Sequence, residues 1–152
     1  MRWKRFAMRS CLPGLAALAV LAWIGACRNA EAQSAPPLTS VRIVGVRSGK
    51  MPRGEWWPKT EHPTVTAQDH GGSFVEVDVL ETGYARTRLA FLNGRPAASV
   101  RMQAVLSTGR RKDVTGYLVT WKVSNVEGGQ FFCESVGAGK VGEKLSDAMN
   151  IR

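Results

Sequence analysis

The chain predicts an antiparallel β-sandwich or small barrel, the first choice being a sandwich of immunoglobulin-like layout with about seven short strands and a short C-terminal helix. Three observations predict it. Short runs alternate apolar and polar residues with a period of two, as half-buried strands do. Gly, Pro, Asn and Asp punctuate those runs at short intervals. No long segment carries the apolar spacing of a helix able to cross over between parallel strands.

The first 32 residues read as a segment outside the fold. Arg2, Lys4, Arg5 and Arg9 form a basic stretch, Leu15 to Ala26 is an apolar run, and Ala30-Glu31-Ala32 supplies the small residues of a cleavage site. That is the pattern of a secretory signal, too short and wrongly flanked for a spanning helix. Cleavage after Ala32 leaves residues 33–152. The alternative is a lipobox at Ile24-Gly25-Ala26-Cys27, with lipidation of Cys27. Residues 33–40 are polar and Pro-containing, and read as a flexible leader to a domain over 41–152.

Five of the 21 basic residues and one of the 12 acidic ones lie before position 33, so the remainder carries a net charge of about +5. A mild basic surplus suits anionic partners and ordinary solubility alike. Cys11 and Cys27 fall in the signal, which leaves Cys133 alone and forbids an internal disulfide. An apolar core must then hold the fold unaided.

Within the domain, Val41–Val46 and Thr64–Ala67 read as strands. Phe74–Leu80 is the clearest, with Val75, Val77 and Val79 on one face and Glu76 and Asp78 on a wet one. Arg86–Leu92 and Ala97–Leu106 flank Asn93-Gly94, a hairpin signal because both positions tolerate positive φ. In Val114–Val123, residues Tyr117, Val119, Trp121 and Val123 share a face. Phe131–Val136 is expected to pair with that strand across Ser124–Gln130. Phe131 and Cys133 are expected inward, because a buried unpaired Glu134 would be costly. Leu145, Ala148 and Met149 follow an i, i+3, i+4 pattern, and predict one or two helical turns docked on the sheet.

Arg47–Pro63 is a long loop carrying Pro52, Pro58, Pro63 and the adjacent pair Trp56-Trp57. Loops of that length in a compact domain are often functional. Neighbouring side chains in extended chain point to opposite sides, so one indole can enter the core while the other offers a flat face to a ligand. Arg110-Arg111-Lys112 falls at a hairpin tip and concentrates positive potential. No RNA-binding aromatic motif accompanies it, and nucleic acid is not an expected partner.

His62, Asp69 and His70 are metal ligands by residue type only. His62 and His70 flank the Thr64–Ala67 strand, which would hold them more than about 13 Å apart. The spacings of zinc sites are missing. A His70–Cys133 pair, or Ser73 with His70 and Asp69, would need a proximity that no spacing implies. Gly137-Ala138-Gly139-Lys140 lacks the spacing of a phosphate loop.

The Val41–Val46 run, the Trp-bearing loop, Asp69-His70-Gly71-Gly72-Ser73 and the terminal Asn150-Ile151-Arg152 together resemble small exported bacterial proteins of the YolA-like type. The resemblance implies an exported domain and supplies no catalytic residues.

The expectation is therefore an exported, non-enzymatic binding protein, secreted or periplasmic, with a lipid-anchored form as the alternative. Trp56 and Trp57 would be its main contact and Arg110, Arg111 and Lys112 a second one. An envelope glycan, an anionic surface or another exported protein would be the partner, and a membrane only if Cys27 is lipidated. No catalytic residue, metal or cofactor is expected. The alternatives are an envelope inhibitor or immunity-type protein that blocks a partner protein, and a small hydrolase or metal-dependent enzyme centred on His70.

Overall fold

The computed structural model describes residues 36–138 and 142–152. The expected signal segment, Cys27, the start of the leader and the Gly139-Lys140 pair lie outside the described residues. Among the described residues the chain is all-β, with nine strands: β1 (Ser40–Ser48), β2 (Glu55–Trp56), β3 (Gly72–Thr82), β4 (Ala85–Leu92), β5 (Arg95–Pro96), β6 (Ala98–Leu106), β7 (Val114–Val126), β8 (Gly129–Gly137) and β9 (Lys144–Ile151). They form two antiparallel sheets, ordered β2-β1-β3-β7-β6 and β5-β4-β8-β9.

Alternation decides which side of each strand turns inward. Val75, Val77 and Val79 of β3, Val119, Trp121 and Val123 of β7, and Phe131 and Cys133 of β8 are all buried. With Ile43, Val46, Leu92, Met149 and Ile151 they make one apolar cluster fed by both sheets. Burying each large aliphatic side chain stabilises the fold by roughly 1.5–3 kcal/mol. Phe131 and Cys133 face inward as the cost of burying Glu134 requires.

Three expected elements are corrected. Lys144–Ile151 is a strand, not a helix. Leu145, Asp147, Met149 and Ile151 alternate with exposed Lys144, Ser146, Ala148 and Asn150. The inward Asp147 hides this period, because it is polar for a specific reason: its carboxylate accepts the Ile43 amide at 2.7 Å. Ile43 borders the irregularity in the β1–β3 ladder, which lies between Ile43 and Gly45.

Thr64–Ala67 is not a strand, and it contributes only an isolated bridge between Val65 and Asn150. Phe131–Val136 pairs with β4 and β9 rather than with Val114–Val123, so Ser124–Gln130 carries the chain from one sheet to the other. Positive φ at Asn125 (53°), Gly128 (80°) and Gly129 (119°) makes the crossing.

The Asn93-Gly94 turn is present, with φ of 50° and 74°. It closes β4 on the two-residue β5, after which the chain changes sheet and β6 pairs with β7. The leader is anchored from Pro36 onward: Leu38 is buried, and the Tyr84 amide donates to Pro36 O at 3.0 Å.

Candidate functional site

Trp56 lies on β2, at the edge of the five-stranded sheet, where Gly45 of β1 is its register partner. The indole rests flat on Gly45. A Cβ built on that glycine would stand 2.5 Å from Trp56 Cε3, so only glycine admits the ring there. The outer side of the ring is open, and Trp56 is 51% exposed. Trp57 takes the other direction, partly buried and packed against the core. Its amide donates to Val44 O at 2.9 Å.

The loop around the indole is strapped down by part-buried Glu55 and by buried Thr66 and His70. The Glu55 carboxylate accepts the Ala67 amide at 2.9 Å and the Gln68 amide at 2.6 Å, and stands 3.0 Å from His70 Nε2. Burial alone would raise the Glu55 carboxyl, but the two amides and His70 outweigh it and hold the group below its ordinary range. His70 is fully buried, and its Nδ1 has no hydrogen-bond partner. Its amide donates to Arg152 O, and the Arg152 amide donates to Thr66 Oγ1 at 2.9 Å. On the other flank, Arg42 donates to Lys59 O and Glu61 O, while His62 Nε2 stands 3.1 Å from the Asp147 carboxylate.

Beyond the indole, register places Gly45, Asp78, Thr120 and Arg101 in one row across the outer sheet face. Asp78 is not on a wet face as its alternation suggests. It is buried and accepts from Thr120 Oγ1. The next row is Arg47, Glu76 and Lys122. Arg47 Nε lies 2.6 Å and Lys122 Nζ 3.3 Å from the Glu76 carboxylate, and Lys122 also stands 4.7 Å over the Phe74 ring. Burial raises the Glu76 carboxyl, but the two cations outweigh it and the net shift is downward. The result is a rigid indole face beside a row of fixed charges.

Arg110, Arg111 and Lys112 are exposed on the turn between β6 and β7. β2 and β6 are opposite edges of the same sheet, four strand spacings or about 19 Å apart. The structure therefore does not join the tryptophans and the basic tip in one contact.

The remaining candidates take separate partners. Asp69 pairs with Lys50 at 3.3 Å, His62 with Asp147 and His70 with Glu55. Among the described residues no three His, Cys, Asp or Glu side chains are grouped to hold a metal ion. Cys133 is buried and donates to Asp147 O at 3.6 Å. Burial, with the nearby Asp147 charge, pushes its thiol up to about 12, which opposes thiolate formation.

Sequence reading missed Gly45, Glu55, Glu76 and Asp147. A glycine inside a β-branched run signals close approach of another group, and that was the available clue to Gly45. The family model described as Domain of unknown function (DUF4879) matches residues 30–151, and the chain belongs to that family. No curated protein matches the chain.

Proposed function

We propose that this DUF4879 chain is an exported, non-enzymatic binding protein that holds an envelope glycan against Trp56. The observation carrying the reading is the half-exposed indole pressed onto Gly45. An exposed aromatic ring is normally costly to hold still, and here its backing and its loop are both fixed. Such a face suits the apolar side of a sugar ring, and Arg47, Glu76 and Lys122 offer polar groups next to it. We place the domain among β-sandwiches of immunoglobulin-like layout.

Export rests on the pattern of residues 1–32, and the YolA-like resemblance belongs to the same proposal. The protein would act in the periplasm or outside the cell, or on a lipid anchor at Cys27. The deciding experiment is co-sedimentation with insoluble cell-wall polysaccharide. Wild-type protein should pellet, while folded Trp56→Ala should stay in the supernatant. Equal pelleting of the two would end the reading.

A further inference from the structure

β6 is the outermost strand of the five-stranded sheet, on the edge opposite Trp56. Eight of its nine residues are exposed. Edge strands usually carry devices that discourage strand addition, such as charged side chains, a proline, a β-bulge or extreme shortness. β6 is nine residues long and contains neither Lys nor Pro; its devices are Arg101 and two register irregularities, which leave a regular stretch between them. Val100, Met102 and Leu106 are 51%, 56% and 46% exposed.

The β6–β7 register is irregular at Ser99/Arg101 and at Val105/Leu106, so Arg101–Val105 is the regular run, opposite Thr120–Gly116. Along such a run alternate residues turn their N–H and C=O away from the sheet, unpaired by any described strand. This is an open ladder with an apolar surface.

Its charge selects the occupant. Arg101 lies within β6, and Arg110, Arg111 and Lys112 lie on the turn that follows. None of these four forms an ion pair with a described residue. The turn is itself fixed: the Ser107 amide donates to Asp113 O at 2.8 Å, and Ser107 Oγ donates to Arg111 O at 2.7 Å. A second copy of the chain would bring like charges together along the shared edge, and is disfavoured for that reason.

We infer that β6 is a docking edge for an extended segment of another protein, one that alternates apolar residues with carboxylates. Its main chain would continue the ladder beside Arg101–Val105. Its apolar side chains would lie on Val100 and Met102, and its carboxylates would meet Arg101 and the Arg110–Lys112 turn. This surface is separate from Trp56, and the inference holds whether or not a glycan binds there.

The test is fluorescence anisotropy of the chain lacking residues 1–32 with a fluorescein-labelled peptide of alternating Val and Glu. Saturable binding is expected, weakened about tenfold or more in Val100→Lys/Met102→Lys and in Arg110→Glu/Arg111→Glu, each checked for folding by circular dichroism. A peptide N-methylated at every residue cannot extend the ladder from either edge and should not bind, and this arm needs no protein variant. The inference is overturned if the Val-Glu peptide does not bind, if a Val-Lys peptide binds equally, or if N-methylation has no effect. Dimerisation abolished by Met102→Lys would overturn it in favour of a second copy. Capture by phosphatidylglycerol vesicles without peptide binding would overturn it in favour of a membrane surface.

Discussion

Arg88 and Glu81 join the two sheets. Arg88 Nε on β4 lies 3.0 Å and 2.8 Å from the two carboxylate oxygens of Glu81 on β3, and Ser135 Oγ on β8 donates to the same carboxylate at 2.6 Å. Glu81 is buried, so these donors are what satisfies its carboxylate oxygens. Removing one partner of a buried pair costs far more than the pair contributes. Arg88→Ala should lower unfolding free energy by about 3 kcal/mol in urea titration, and Arg88→Met/Glu81→Leu should recover much of that loss.

The adjacent tryptophans should behave as opposites. Trp56→Ala removes a half-exposed ring and should change the denaturation midpoint little while abolishing polysaccharide retention. Trp57→Ala cuts a ring packed against the core and should cost about 2–4 kcal/mol. Gly45→Ala leaves both rings present but displaces the Trp56 indole. It should weaken retention and shift tryptophan emission to the red. Retention unchanged in Gly45→Ala would show that the backing of the ring is irrelevant.

Acid should loosen the Trp56 loop. The Glu55 carboxyl is held below its ordinary 4.5 in the folded protein, so its stabilisation is present above that value and lost as pH falls through the lower, folded-state one. Glu76 shifts in the same direction. Tryptophan fluorescence between neutral pH and the acid range should show a step below 4.5 in wild type. In Glu55→Gln the loop should already be loosened at neutral pH, with the acid step reduced to the part belonging to Glu76.

Cys133 should be inert in the native protein. With its thiol pushed up to about 12, it stays protonated when an unfolded-chain cysteine, near 9.0, has begun to ionise. The folded form is therefore favoured fully below that lower value, and the contribution declines as pH rises from there toward 12. A thiol reagent at pH 8 should react only after denaturant is added. Rapid native labelling would place the thiol at the surface.

Intact mass should settle the N-terminus. Material recovered from an expressing cell's exterior or periplasm is expected to match residues 33–152. A diacyl or triacyl addition on a chain beginning at Cys27 would replace the soluble form by an anchored one.

Six of the seven expected strands form, because alternation and turn residues are local signals that survive the irregularities in β1 and β6. Asn93-Gly94 was legible for the same reason, since both of its positive φ angles depend on two residues alone. β9 was not legible: Asp147 occupies an inward position, and only partners distant in sequence, the Ile43 amide and His62, explain it. The Trp56 site was half legible. The paired indoles stand out in the sequence, but which ring is free depends on Gly45 and on register. Glu55 looks like a solvated acid until the folded chain brings Ala67, Gln68 and His70 to it.

The strand that replaced the expected helix also sets a timetable. Arg152 donates to Thr66 across 86 residues of sequence, and Asn150 exchanges amide bonds with Thr64 and Thr66. During synthesis the segment carrying Trp56 emerges long before the residues that clamp it. The loop can therefore receive these last clamps only after the final strand has arrived, late in folding, since contacts so distant in sequence form slowly. A chain threaded through a membrane N-terminus first would cross with these clamps unmade and close them on the far side.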